Sequence, residues 1–591
     1  MMKQRKLLAL LLSFAMLISF VASGCGIGGT ASDNPPARYR NPELLSFLPK
    51  EKIEMVKLSE IQYVAPDTRE LEDKCLALLK KIETCTDAEE LLADYYEIYP
   101  EFCTIQTMYK LAFLRNNIDT TDPFYKNASM AAGTAFAIAM NYQDELLYAF
   151  ASSPVRNELE KLYFGEGYFD QYDVKTTYSD QYYTLLQLES NYVCAFDDLT
   201  TGCMIPYNGE EKAYNEWLCS DSNEIRNGAS AAYIEQYHDK LANIYIELVK
   251  TRQKIAKEAG FDSYIDYRYD YFGDFDSKQT AELLQYIKTY LAPLAKPICE
   301  KRPGLSDNLY NDKYPYSKDT DPIETLCSAS KNMGDVIWDA ARFLKTYELY
   351  EYSYSPNKRI VGYQSYLRDY EAPFIFFNPA RYDAVASFAH EFGHFVDGYY
   401  NYGDFTYAPA GVSSALSEFF SQSMQYLLIK YAETFPEDIH EETMDAALAD
   451  LLITNILDSA AFAAFEEQVY NMDPKELTPD KLDEVYLLYI KEFGRPNRFK
   501  DSIQAKSWVL KHHLFEDSCI CILYTVPAIS ALQICSMDDE KDGAGVAVYI
   551  DAVKNYIGKT YDRFYEESKL DSPFKESTVK DIAEYLKNRL N

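Results

Sequence analysis

Apolar residues recur along most of this chain at the three- and four-residue intervals of an amphipathic helix, as in Leu71, Cys75, Leu78 and Leu79 and again in Leu241, Tyr245, Leu248 and Val249. Strand-like alternation is scarce, and 23 Gly with 24 Pro are few for an all-β chain of 591 residues. The pattern predicts a mostly α-helical protein, with no repeat of fixed period. One stretch reads as extended, Gly362 to Phe377, with Pro373 inside it and Asn378-Pro379 as a breaker at its end. Directly after it, the run AVASFAHEFGHFVDGYY carries Val385, Phe388, Phe392, Phe395 and Val396 at a spacing that suits a buried helix. Ser414 to Leu428 has a second such pattern.

The first residues break this pattern with a basic start, an apolar run from Leu7 to about Ala22 and then small residues, which reads as an export signal over 1–24. Ala22-Ser23-Gly24-Cys25 resembles the lipobox of bacterial lipoproteins, which implies cleavage before Cys25 and acylation of that cysteine. An ordinary signal peptide is the alternative. Residues 25–60 would then be the anchor and a flexible tether, clearest from Gly26 to Pro36. A lipid anchor places the protein on the outer face of a bacterial cell membrane, with the outer membrane as the other option. No later stretch reads as a spanning helix without interruption: the best candidate, Cys519 to Cys535, is broken by Pro527 and is better read as a buried helix. The eleven cysteines beyond Cys25 form no CxxC pair and no disulfide-dense pattern.

With 47% hydrophobic and 25% charged residues the body is globular in composition. Its net charge of −34, with no offsetting Lys/Arg cluster, argues against nucleic acid as a partner. The 53 tyrosines are suited to packing, or to lining a peptide channel with flat apolar faces and hydroxyls.

The candidate chemistry lies at residues 390–394, which read His-Glu-Phe-Gly-His. Histidines four apart share one helical face, so His390 and His394 can converge on a single ion. Glu391 beside that ion is placed to act as general base toward a water whose pKa zinc lowers to about 7. Gly393 costs helix stability and suggests that something packs closely against it. A hydrolytic zinc needs a third protein ligand and an open position. The metzincin histidine is missing, since Tyr400 occupies its place. Glu418, the only acidic residue from Ser414 to Leu428, is the expected third ligand, because a lone buried acid needs a cation. Asp397 and Asp404 are the alternatives. The expected cofactor is one Zn2+ per chain.

Two histidines followed by a distant glutamate resemble the gluzincin arrangement, and Glu418-Phe-Phe-Ser-Gln422 resembles the E-x-x-S-Q continuation of the M3 peptidases, the thimet oligopeptidase and oligoendopeptidase F family. Val249-Lys-Thr-Arg252, Ala256 and Gly260-Phe-Asp-Ser-Tyr264 resemble its upstream helix and loop, and Pro373 to Asn378 its substrate-facing strand. Trp508, His513 and Tyr524 resemble its W…H…Y region, and Ser572-Pro-Phe574 its closing helices. The resemblance implies an almost all-helical clam shell around a deep channel with a small β-sheet near the zinc helix, admitting short oligopeptides. It implies a helical lobe over 61–229 and a catalytic region over 230–591. It also implies roles for Tyr524 as oxyanion donor and for His513, or its neighbour His512, beside it. Phe374 and Phe376 are expected to contact substrate, whose backbone would add to the 373–377 edge. Cys519 and Cys521 depart from the family, where aromatics are common. Two other readings stay open here: a surface lipoprotein that captures peptides without cutting them, and a gluzincin exopeptidase. The oligomeric state is not legible.

Overall fold

Leu71, Cys75, Leu78 and Ile82 form the buried stripe of helix α1 (Arg69–Ile82). It packs with α2 (Ala88–Ile118), whose first turn is capped by the Asp87 carboxylate accepting from the Glu89 and Glu90 amides, and with α3 (Pro123–Ala151). These helices enclose a core of their own that runs from Leu71 to Phe169, with Tyr95, Phe150 and Phe164 at its centre. This computed structural model describes residues 54–590 apart from 165–166, 173–178, 201, 221, 302–320, 356, 379–383, 402–412, 436 and 556–560. The signal segment, Cys25, Asp404 and Pro379 lie outside the described residues.

Helix α4 (Asp180–Thr200), the hairpin β1 (Met204–Tyr207) with β2 (Glu210–Ala213), and the long helix α5 (Asn223–Glu258) belong instead to a second, larger core. Val193, Phe196, Ile205, Trp217 and Tyr245 are buried in it. Leu111 and Leu114 of α2 are buried in it as well, so that helix serves both cores. The tether ends earlier than expected, since Leu58 is buried and its amide donates to the Tyr347 carbonyl at 3.1 Å.

After α6 (Tyr264–Phe272), the larger core takes in a three-stranded sheet of β3 (Tyr350–Glu351), β4 (Gly362–Leu367) and β5 (Ala372–Phe377). Its order is β3-β5-β4, with β5 parallel to β3 and antiparallel to β4, so that Gln364 lies opposite Ile375. Every residue of β5 is buried. Two helices follow, α7 (Ala384–Asn401) and α8 (Ser414–Tyr431), which cross at unusually close range. Gly393 permits it: a Cβ there would lie 2.4 Å from both the Phe420 carbonyl oxygen and the Ser421 Cα.

Among the described residues one helical run, His440–Tyr470, is long and apolar enough to cross a membrane, but 83% of its apolar window is buried inside the protein, as for a core helix. The sequence reading overlooked it; its last part is α9 (Ser459–Tyr470). The short α10 (His513–Glu516) leads to α11 (Ile522–Glu540), which is largely buried as expected. Pro527 lies within α11 and does not break it. All eleven described cysteines are free thiols.

Candidate metal centre

One turn separates His390 from His394 on α7, and their ring centroids lie 5.0 Å apart. From α8, the Glu418 carboxylate meets them: Oε2 is 3.6 Å from His390 Nε2, and Oε1 is 3.6 Å from His394 Nε2. One donor atom from each residue falls within a cluster 4.8 Å across. A separation of 3.6 Å is too long for a hydrogen bond. It is close to the roughly 3.3–3.5 Å between ligands that each sit about 2.0–2.1 Å from a tetrahedral ion. Asp397 is buried on the same helix but stands outside the cluster.

The electrostatics point to the same occupant. Burial pushes the His390 pKa down to about 4 and that of His394 well below its usual range, the latter helped by His390. Burial raises the Glu418 carboxyl to about 8, against a hydrogen bond from Ser421. Neutral imidazoles with lone pairs and a carboxylate that cannot ionise comfortably form a donor set that a divalent cation satisfies. The residues present therefore fit a zinc ion.

Side chains of α8 hold the donors in place. Ser417 Oγ is 3.2 Å from His394 Nδ1, Gln425 hydrogen-bonds the His390 side chain, and Ser421 Oγ donates to Glu418 Oε2 at 3.1 Å. Sequence reasoning marked Ser421 only within the Glu418-Phe-Phe-Ser-Gln422 resemblance and did not single out Ser417 or Gln425. Their signal was present: Ser417, Ser421 and Gln425 fall at four-residue steps and make a polar stripe on a buried helix.

Glu391 is buried between α7 and the sheet. Burial first, and then the nearby Glu418 carboxylate, raise its pKa well above the carboxylate range, while the Gln364 amide of β4 hydrogen-bonds it and opposes that rise. Gly362 leaves the space this carboxylate occupies, since a Cβ there would sit 3.1 Å from Glu391 Oε1. Thus β4, the edge strand, borders the site.

That placement corrects the expectation for Phe374 and Phe376. β5 is the central strand and buried throughout: β4 pairs with it over Ala372–Phe377 and β3 with Ile375 and Phe376 on the other side, so it presents no exposed edge to an added strand. Phe374 and Phe376 are 1% and 0% exposed and pack against the Tyr363 ring, at centroid distances of 6.4 and 5.0 Å. They are core residues.

Across the site, Tyr524 Oη lies 3.4 Å from His513 Nε2, while His512 points to solvent. Burial, followed by the charges of Glu418 and others including Glu391, raises the Tyr524 pKa, so the hydroxyl keeps its proton and stands in the field of the metal-site carboxylates. Burial, His512 and Lys511 hold His513 well below its usual pKa, hence neutral. Among the described residues its buried Nδ1 has no hydrogen-bond partner, so its one polar contact is Nε2 with Tyr524 Oη, in which the tautomer decides the donor. From α8, Gln422 Nε2 donates to the Tyr524 carbonyl at 3.1 Å.

A helical body that brings two histidines, a distant glutamate and a second glutamate together at one point is built as a metallopeptidase. Residues 58–178 match the Peptidase M3 N-terminal domain and residues 341–524 match peptidase family M3, together more than half of the chain. The chain belongs to peptidase family M3. Its fold is similar to PZ peptidase A with an inhibitor, at 22% identity and a TM-score of 0.77 over 90% of this chain and 99% of that one. It is also similar to oligoendopeptidase F from Enterococcus faecium, at 17% identity and a TM-score of 0.56 over 88% and 98%. No curated protein matches the chain.

Proposed function

We propose that this chain is a zinc endopeptidase of short oligopeptides. The observation that carries the reading is the convergence of His390, His394 and Glu418 on one point beside Glu391. Zinc held there would supply Lewis acidity toward a water and the scissile carbonyl. Glu391 takes the proton of that water as its oxygen bonds to the carbonyl carbon, and delivers it to the leaving amine as the C–N bond breaks. Tyr524, steadied by His513 Nε2, donates to the carbonyl oxygen as negative charge develops on it. The peptide backbone pairs along the outer edge of β4, which brings it past Glu391.

Two experiments test this reading. Glu391→Gln should cut turnover of a quenched fluorescent peptide by about 10²–10⁴-fold with zinc still bound; undiminished turnover rejects the assigned base. Peptides blocked at both ends should be cut internally; refusal of them assigns an exopeptidase instead. We further propose acylation at Cys25 and attachment to the outer face of a cell membrane, supported by the Ala22-Ser23-Gly24-Cys25 sequence. Cys25→Ser should release the protein into the soluble fraction, and continued membrane association would reject that anchor.

A further inference from the structure

Between Lys511 and Cys521 the chain makes only short turns, yet this segment sets the position of His513 and leads into Tyr524. Its backbone is held by side chains from three separate helices. Arg252 of α5, 1% exposed, donates through Nη1 to the Leu514 carbonyl at 2.8 Å and through Nη2 to the Phe515 carbonyl at 2.6 Å. The same guanidinium is fixed from behind by Glu189 Oε1 at 2.6 Å and by Tyr470 Oη at 3.1 Å. Arg268 of α6 donates from Nε to the Ser518 carbonyl at 3.1 Å and pairs with Asp517. Glu466 of α9 accepts the Cys519 amide at 2.9 Å. That bond holds Cys519 in the left-handed region, at φ 64°.

Apolar residues of similar volume often replace a buried ion pair such as Arg252 with Glu189 at no loss of stability, so stability alone does not explain this guanidinium. What the planar fork provides is geometry: two carbonyls, one and two residues past His513, are fixed relative to α5. Phe515, between the clamp and the core, stacks on Phe196 at 4.2 Å. The position of His513 therefore follows from Arg252, and with it the hydroxyl that His513 steadies.

We infer that Arg252, supported by Arg268 and Glu466, is a positioning residue for peptide-bond cleavage, which fixes the Leu514 and Phe515 carbonyls so that His513 holds Tyr524 toward the metal site. This rests on Tyr524 being the oxyanion donor. It also gives the Val249-x-x-Arg252 and Gly260 to Tyr264 sequences a common purpose, since Tyr264 Oη meets Ser518 Oγ at 2.8 Å in the same segment.

The test is a kinetic cycle on the full-length zinc-loaded enzyme. Lys at 252 keeps the charge and loses the fork, so Arg252→Lys should lower kcat by about 10–100-fold with KM changed less than about threefold and zinc content intact. In a Tyr524→Phe background the same substitution should cost less than about threefold, because the group it positions is gone. If the losses multiply, Arg252 acts elsewhere and the inference is overturned. Should Arg252→Lys fail to fold, Arg268→Lys goes through the same cycle under the same criterion. A Tyr524→Phe enzyme with undiminished kcat rejects the oxyanion reading itself; a slow Tyr524→Phe enzyme with multiplicative losses rejects only the clamp.

Discussion

His390, His394 and Glu418 come from two 18-residue helices packed backbone against glycine, whereas His513 and Tyr524 flank a segment with almost no regular structure of its own. In the first region local geometry does the placing. A four-residue step puts two imidazoles on one face, and the close crossing at Gly393 delivers the carboxylate. In the second, contacts from residues as distant in sequence as Arg252 and Glu466 do it. A site built from helices is tolerant of change around it and intolerant of change at its crossing; a site built from a clamped segment depends on residues that never touch substrate.

The largest expected effect breaks the first region. Glu418→Ala leaves two neutral imidazoles and removes the anionic ligand, so zinc content and activity should fall together to background. An enzyme that keeps stoichiometric zinc would show that another group, such as Asp397, completes the set. Gly393→Ala should rank next. A methyl group there overlaps the Phe420 carbonyl and the Ser421 Cα at 2.4 Å, and both are backbone. The helices must separate, at a cost of about 1–3 kcal/mol or more, which outweighs the roughly 1 kcal/mol gained in helix propensity. Thermal melting of the apoprotein and zinc titration check it: a lower Tm together with weaker zinc binding is expected, and a higher Tm would mean the crossing relaxes freely.

In the second region the expected losses are smaller. Tyr524→Phe removes one oxyanion donor and should lower kcat by about 10²–10³-fold, leaving zinc content and Tm near those of the parent. A change in KM alone would make Tyr524 a binding residue.

The same contrast explains what could be read in advance. Helical class, the candidate cluster of His390, His394 and Glu418 and the close approach at Gly393 follow from residue type and period within each helix. The strand edge could not be read that way. Period and composition mark 362–377 as extended, but which half lies in the centre of a sheet is decided by the pairing of Tyr350 and Glu351 with β5, 25 residues downstream. Phe374 and Phe376 were accordingly misplaced. His513 against His512 was undecidable for the same reason, since the register of α10 is set by carbonyls that Arg252 holds from another helix.

The titration of one further group tests how firmly α8 is anchored. Asp274 Oδ2 accepts the Ala415 amide at 3.2 Å, at the first turn of α8, with the Ser413 side chain also bonded to it. Burial raises its pKa from 3.8 to about 6, and those two hydrogen bonds only partly oppose the rise. The folded state therefore favours the protonated acid. The stability this contributes is complete below the unfolded pKa near 3.8 and is lost as pH climbs through about 6, so that ionised Asp274 burdens the fold above it. Asp274→Asn keeps an oxygen to accept the Ala415 amide and removes the charge. Its Tm should match or fall below that of the parent at pH 5 and exceed it at pH 8, with a change in relative stability of about 1–2 kcal/mol between the two. A Tm difference that is the same at both pH values would show that Asp274 is as well solvated as an ordinary surface acid.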